Sequence, residues 1–320
     1  SSAPETIGII GYGNQGRPHA LNLRDSGRDV VVGLRKGSPS FERVRADGLR
    51  VVSLDEAARC DVVALLLPDE RMGDVWREHV APVARDGQML MFAHGFAIHF
   101  GLIQPPAGMD VALVSPKGAG KWVRALFEAG SGLPALVAVH QDATGRALER
   151  AMDYAEGIGA TRVGTRMTTF RAETITDLFG EQAVLCGGIP ALIQAGYETL
   201  VDAGYEPEDA YLECVYEAKL IVDLMLAQGL AGMRRAISPT AAYGGQRAFH
   251  RLVNEETRAE MKRLLDEIED GSFAQEWVTA APAGVPVPPG AEPLDAARES
   301  LMQEWAEWRP MGAPTSAPRP

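Results

Sequence analysis

Four acids stand at helical spacing in two short stretches. Asp177 and Glu181 are four apart in Thr176-Asp177-Leu178-Phe179-Gly180-Glu181-Gln182, and Glu213 and Glu217 are four apart in Leu212-Glu213-Cys214-Val215-Tyr216-Glu217-Ala218-Lys219. At 3.6 residues per turn each pair shares one helix face. Carboxylates converging from two helices repel one another unless cations neutralise them. Hard oxygen donors without cysteine or clustered histidine point to Mg²⁺. Two such ions sharing Asp177 would polarise a carbonyl and an adjacent hydroxyl together. The competing reading is an exposed acidic face, with Lys219 or Arg171 paired to one of the acids.

A second group is built on glycine. Gly11-Tyr12-Gly13-Asn14-Gln15-Gly16 follows the apolar strand Thr6–Ile10 and opens a helix. In that context Gly11 permits a tight turn, Gly13 lets a pyrophosphate reach the backbone, and Gly16 allows close helix packing. The phosphates would lie on amides at the helix N-terminus. The next strand, Asp29–Leu34, runs into Arg35-Lys36-Gly37-Ser38-Pro39-Ser40, with no acid before Glu42. An acid there would accept from a ribose 2′-hydroxyl. Two cations and two hydroxyls suit a 2′-phosphate instead, which predicts NADPH; a solvated basic turn is the alternative. His94 follows the strand 89–93 and Lys117 the strand 111–114. Carboxyl ends of parallel strands face the ligand crevice, so both can reach a nicotinamide or substrate, or else cap a backbone carbonyl.

These residues need a scaffold, and the pattern supplies two kinds. Short apolar runs at 6–10, 29–34, 51–52, 62–67, 89–93, 111–114 and 135–139 lack polar alternation, as expected for a parallel sheet covered on both faces. Beyond Phe170 the period changes to that of helices, over 181–203, 207–229 and 255–270. Gly204 and Gly229 read as stops and Pro207 as a helix start. The expected architecture is α/β: a Rossmann-like parallel-sheet domain (1–165), an all-helical domain (166–310) and a flexible tail (311–320). Cys186 and Cys214, inside helices, are expected to be buried.

The 320 residues carry a net charge of −12, which disfavours nucleic acid as a partner. Three scattered cysteines without a CxxC pair suggest reducing cytoplasm. The most apolar run, Val62 to Leu67, is far short of the roughly 20 residues of a membrane span. The opening residues Ser1 to Glu5 have no signal-peptide pattern.

The chain resembles ketol-acid reductoisomerase (acetohydroxyacid isomeroreductase), short class I form, from Ile7 to about Trp308. Gly11 to Gly16, Leu34-Arg35-Lys36-Gly37-Ser38, Leu66-Leu67-Pro68-Asp69-Glu70, Ala93-His94-Gly95-Phe96 and Pro116-Lys117-Gly118 carry the resemblance. So do Val139-His140-Gln141-Asp142-Ala143, Thr176 through Gly188, Lys219 through Leu224, and Tyr243-Gly244. The resemblance implies that Asp177 bridges two Mg²⁺ ions, Glu181 completes one site, and Glu213 and Glu217 serve the second. Those last two could come from the partner subunit of a homodimer or larger homo-oligomer. It further implies that Ser238 contacts the substrate carboxylate, that His94 lies near the nicotinamide, and that Lys117 and Glu217 relay the substrate's proton. Arg35, Ser38 and Ser40 would hold the 2′-phosphate, and Gly11, Tyr12, Gly13, Asn14, Gln15, Gly16, Pro68 and Gly120 the rest of the NADPH. A knotted helical domain is also implied. The implied reaction is Mg²⁺-dependent alkyl migration in 2-acetolactate, then NADPH reduction to 2,3-dihydroxyisovalerate, in branched-chain amino acid biosynthesis. The implied setting is the cytoplasm, without a membrane or nucleic-acid partner.

Several positions depart from the family pattern. Arg17-Pro18-His19 stands for His-Ala-His, Ala97 for asparagine, Ala119 and Lys121 for proline and histidine. Ile175 stands for glutamate, and Pro239 and Ala242 for asparagine and glutamate. Ile175, Pro239 and Ala242 remove polarity near the matched metal and substrate residues. They leave open a diverged enzyme for another 2-keto-3-hydroxy acid in a specialised pathway, or a plain NADPH-dependent 2-keto acid reductase.

Overall fold

The computed structural model describes residues 5–281, 284–285 and 288–305. Its contacts form two compact units, Ser1–Asp177 with Ala274–Thr279, and Leu178–Phe273 with Ala280–Pro320. The expected tail 311–320 lies outside the described residues.

The first unit is built on an eight-stranded sheet: β1 (Thr6–Ile10), β2 (Asp29–Leu34), β3 (Arg50–Ser53), β4 (Val62–Leu65), β5 (Met89–Phe92), β6 (Asp110–Pro116), β7 (Ala135–Gln141) and β8 (Thr165–Met167). Their order is β3-β2-β1-β4-β5-β6-β7-β8. The order reverses between β1 and β4, which opens the crevice where ligands bind in such sheets. All pairs are parallel except β6 with β7. An apolar run carries no direction, so the sequence predicted a parallel β7; β8, only three residues long, offered no run at all.

Helices cover both faces: α1 (Gly16–Asp25), α2 (Phe41–Ala46), α3 (Leu54–Ala57), α4 (Asp69–Val75), α5 (Phe96–His99), α6 (Gly120–Glu128) and α7 (Ala147–Gly157). One core layer gathers Ile9, Val32, Val62, Met91 and Val114 with Leu23 and Tyr154. The other gathers Ile10, Val63, Leu65, Leu90, Phe92 and Leu113 with Trp76. Alternate residues of each strand enter opposite layers, the reason for unbroken apolar runs. The Asn22 amide on α1 donates to the Val123 and Ile158 carbonyls, fixing α1 to α6 and to the end of α7.

Helices continue the chain: α8 (Phe170–Phe179), α9 (Gly188–Asp202), α10 (Pro207–Tyr211), α11 (Glu217–Ala236), α12 (Pro239–Leu252), α13 (Glu255–Glu269), α14 (Ser272–Ala280) and α15 (Ala291–Glu304). Two π-helical turns, Gly180–Leu185 and Leu212–Tyr216, interrupt the pattern. Gly204 is a true stop at φ 89°, whereas Gly229 at φ 70° is a kink with helix on both sides. Within the second unit Tyr197, Ala210, Tyr211, Ala297 and Leu301 form a small core. Cys186 is exposed, contrary to expectation, and Cys214 is half-buried. Phe170–Asp202 reaches a mean hydropathy of 1.3 over 18 residues, enough by length and composition for a membrane span, so the sequence-based estimate of the longest apolar segment was too short.

His19 on α1 is fully buried, with Nδ1 2.9 Å from the Tyr154 hydroxyl. Burial pushes its pKa down to about 3. Between that value and the unfolded value near 6.5 the unfolded chain holds the extra proton, so stability must rise with pH across this window. Urea unfolding should therefore show a loss of about 2 kcal/mol between pH 6.5 and pH 5 from this group. In His19→Gln that slope should disappear; an unchanged slope would place the acid sensitivity elsewhere.

Candidate active site

Three chain segments meet at the carboxyl ends of β5 and β6. The loop after β5 presents His94 and Gly95, β6 presents Ser115, the residue after it is Lys117, and α8 presents Glu173 and Asp177. Glu173 is fully buried. Its Oε2 accepts from the Gly95 amide at 2.8 Å and from His94 Nδ1 at 3.0 Å. Its Oε1 accepts from Ser115 Oγ at 2.8 Å and, more weakly, from Lys117 Nζ at 3.4 Å. Lys117 Nζ donates to Asp177 Oδ1 at 2.7 Å, and His94 Nδ1 lies 3.6 Å from Asp177 Oδ2.

Burial works against charge on both Glu173 and His94, yet their mutual hydrogen bond and attraction outweigh it. The imidazole is pushed up to about 9. The carboxyl is held down at about 2, helped by Lys117 and the Gly95 amide. At neutral pH the cluster thus holds two cations, His94 and Lys117, and two anions, Glu173 and Asp177.

The sequence pointed to His94, Lys117 and Asp177, and the structure brings these three together. It did not point to Glu173 or Ser115. Glu173 had a signal: it stands four residues before Asp177, one turn back on the same face. Among the described residues, His94, Glu173 and Asp177 are the set able to offer three ligand atoms to one ion, all within 4.8 Å of one another. Ile175 is buried rather than lining an open surface.

Glu181, Glu213 and Glu217 belong to the second unit. Glu181 and Glu213 lie in the π-helical turns and Glu217 opens α11. The i→i+5 bonding of such turns departs from the 3.6-residue geometry assumed for each pair, and π-bulges often mark functional positions. Glu213 and Glu217 are exposed and pair with no cation among the described residues. Lys219 bonds to Asp223 instead. Ser238 caps α12, its Oγ accepting from the Ala241 amide at 3.1 Å, which leaves its O–H free to donate.

The glycine turn has the shape the sequence predicted. Gly11 sits at φ +104°, with Leu66 O only 2.4 Å from where a Cβ would stand, while no atom lies within 4 Å of one built on Gly13. Open space over Gly13 beside the start of α1 is a cradle that a pyrophosphate fits. Asn14 Oδ1 accepts from the Gly120 amide at 3.0 Å and Gln15 Nε2 donates to Gly118 O at 3.2 Å, tying this turn to the segment carrying Lys117. Gln15 Oε1 is buried without a hydrogen-bond partner among the described residues. Tyr12 turns its hydroxyl to Asp47 Oδ2 at 2.7 Å, and Pro68 precedes α4. Arg35 is exposed; Ser38 and Ser40 are half-buried, with Ser38 Oγ accepting from the Ser40 amide at 3.3 Å.

Replacing Glu173 by Gln should leave the His94 imidazolium without its counter-ion. Removing one member of a buried pair costs about 3 kcal/mol. In divalent-free protein, NMR titration should show His94 near 9 in the wild type and well below that in Glu173→Gln. The stability that the wild-type pair contributes is complete between about pH 4.5 and 6.5, is lost as pH rises through about 9, and is lost again as pH falls through about 2. A His94 that titrates alike in both proteins would separate it from Glu173.

Comparison with known proteins places this geometry. Residues 3–164 match the family model described as acetohydroxy acid isomeroreductase, NADPH-binding domain, and residues 170–306 match ketol-acid reductoisomerase, C-terminal domain. An NADH-preferring ketol-acid reductoisomerase from an uncultured archaeon is 42% identical, over 93% of this chain and 90% of that one, with a TM-score of 0.84. A semialdehyde dehydrogenase NAD-binding protein from Cupriavidus necator (19% identity, 84% and 99% coverage, TM-score 0.63) shares the fold alone. So does a pyrroline-5-carboxylate reductase from Coxiella burnetii (14%, 84% and 98%, 0.59). With both halves matched in order and a glycine turn that fits a pyrophosphate tied to the segment of a balanced His-Lys-Glu-Asp cluster, this chain belongs to the ketol-acid reductoisomerase family of branched-chain amino acid biosynthesis.

Proposed function

We propose that the chain uses NADPH and two Mg²⁺ ions to convert 2-acetolactate into 2,3-dihydroxyisovalerate, by alkyl migration followed by reduction. The observation that carries this reading is the charge-balanced cluster of His94, Lys117, Glu173 and Asp177 at the strand ends that face the cofactor crevice. Arg35 and Lys36 are exposed and make no ion pair among the described residues, and β2 ends without a carboxylate. That favours a 2′-phosphate, although the archaeal relative prefers NADH. The assignment of 1–165 to cofactor binding and 166–310 to metal, substrate and dimerisation follows from the same reading.

Asp177, Glu181, Glu213 and Glu217 would hold the ions; they are oxygen donors only, as Mg²⁺ requires. Bound there, the pair would act as a Lewis acid on the substrate's ketone and hydroxyl oxygens. Lys117, already held by Asp177, is placed to donate to an oxygen that gains negative charge. Glu217 would take the hydroxyl proton. His94, kept cationic by Glu173, would orient the ring of the nicotinamide and the keto acid beside it. Ser238 would donate its free O–H to the substrate carboxylate. Gly11, Gly13, Gly16 and Gly120, with Asn14 and Gln15, would seat the phosphates, and Pro68 would border the nicotinamide.

Leu226 (86% exposed), Leu185, Leu192, Tyr243 and Leu252 leave large apolar side chains uncovered. Faces of this kind mark protein partners, and a second copy of the chain is the partner we infer. Acids at 173, 177 and 181 make the helical run from Phe170 a poor membrane span. The three cysteines are free thiols, as suits the cytoplasm.

Purified protein should oxidise NADPH with 2-acetolactate and with the rearranged ketone 3-hydroxy-3-methyl-2-oxobutyrate, both only with Mg²⁺. Asp177→Asn should lower turnover at least about a hundredfold, the several kcal/mol typical of metal charge stabilisation. Reduction of the rearranged ketone alone, unaffected by chelation, would favour a plain reductase. Failure with both ketones despite NADPH binding would point to another 2-keto-3-hydroxy acid.

A further inference from the structure

Arg17, the first departure from the family pattern, has a partner thirty residues away. Its Nε donates to Asp47 Oδ2 at 2.7 Å and its Nη2 to Asp47 Oδ1 at 2.7 Å, a two-point fork. The Tyr12 hydroxyl donates to the same Oδ2 at 2.7 Å, and Arg24 donates to the Asp47 carbonyl. The carboxylate is only 15% exposed. Asp47 therefore ties the end of α2 to the glycine turn and to α1.

Helix α2 needs such a tie. It has six residues, too few to be stable alone. Val44 is its one buried residue, and Phe41 at its start is exposed. The segment Arg35–Ser40 lies between β2, which the sheet fixes, and α2, which Val44 and Asp47 anchor.

We propose that the Arg17–Asp47 pair is a positioning device for cofactor choice: by anchoring α2 it sets Arg35, Ser38 and Ser40 at the distance from the glycine turn that a 2′-phosphate requires. This rests on the NADPH reading above. The turn fixes the pyrophosphate, so the position of the loop decides how many donors reach the ribose substituent. A phosphate is held by several charge-assisted bonds that must form together, and their strength falls steeply as geometry loosens. A 2′-hydroxyl at the same place has little to lose. Loosening the anchor should therefore penalise NADPH and spare NADH. A guanidinium fork is rigid and an ammonium is a point charge, so lysine is an incomplete substitute for Arg17.

Direct calorimetric titration of NADPH and of NADH, without substrate, tests this in the wild type and in Arg17→Met, Arg17→Lys, Asp47→Asn and the Arg17→Met/Asp47→Asn double variant. The Kd for NADPH should rise about tenfold in each of Arg17→Met and Asp47→Asn, the equivalent of one charge-assisted bond. The Kd for NADH should change less than about twofold, Arg17→Lys should fall between, and the double variant should be no worse than the singles. In turnover assays KM for NADPH should follow, with kcat at saturating cofactor changing far less. Asp47→Asn keeps the shape of the side chain and carries the test if Arg17→Met fails to fold. Equal rises for both cofactors, or none for either, in an NADPH-preferring enzyme overturn the pair's role alone. A wild type that does not prefer NADPH overturns the phosphate reading and the pair's role with it.

Discussion

The site depends on one buried charge. Placing the Glu173 carboxylate in the interior costs several kcal/mol unless its oxygens are met. Here they are met by the Gly95 amide, His94, Ser115 and Lys117. Those donors come from the loop after β5, from β6 and from the residue just beyond it. Because an unmet donor set would leave the charge uncompensated, the two loops and α8 cannot drift independently. The same interaction keeps His94 protonated and leaves Lys117 nearer to Asp177 than to Glu173. Position and protonation state are fixed by a single group.

The sheet makes that convergence possible. Parallel strands deliver the segments after β1, β4, β5 and β6 to one edge: the glycine turn, Pro68, His94 and Lys117. The bonds from Asn14 and Gln15 to Gly120 and Gly118 then lock the phosphate end of this edge to the segment bearing the lysine. A cofactor lying across the β1–β4 reversal would have its phosphates at one end and its reactive ring beside His94. On the proposed reading, the fold would thus set the direction in which a dinucleotide lies before any side chain selects it.

Much of this was legible in the residues because burial on both faces leaves a plain apolar run. β1, β2 and β4 were read within a residue or two for that reason. Direction was not legible, since the run Ala135 to Val139 reads alike for a parallel or an antiparallel β7. Nor were the π-turns at Gly180–Leu185 and Leu212–Tyr216, where an extra residue is absorbed without any special amino acid. The glycine turn, His94, Lys117 and Asp177 were legible from type and place. Glu173 was obscured because a single acid within Phe-Arg-Ala-Glu-Thr reads as a helix surface until the fold buries it. Arg17 and Asp47 were obscured by separation: nothing local joins residue 17 to residue 47.

Charge balance constrains what the site can add. Lys117 already matches Asp177, and His94 already matches Glu173. A divalent ion brought to Asp177 would raise the net charge by two, which one shared carboxylate cannot offset at close range. Further acids must supply the difference, and they must not be spent on existing cations. Glu213 and Glu217 meet that condition, because Lys219, the nearest cation in sequence, is taken by Asp223. A cluster that is neutral by itself and would need outside carboxylates to hold the proposed ions would couple catalysis to whatever supplies those acids.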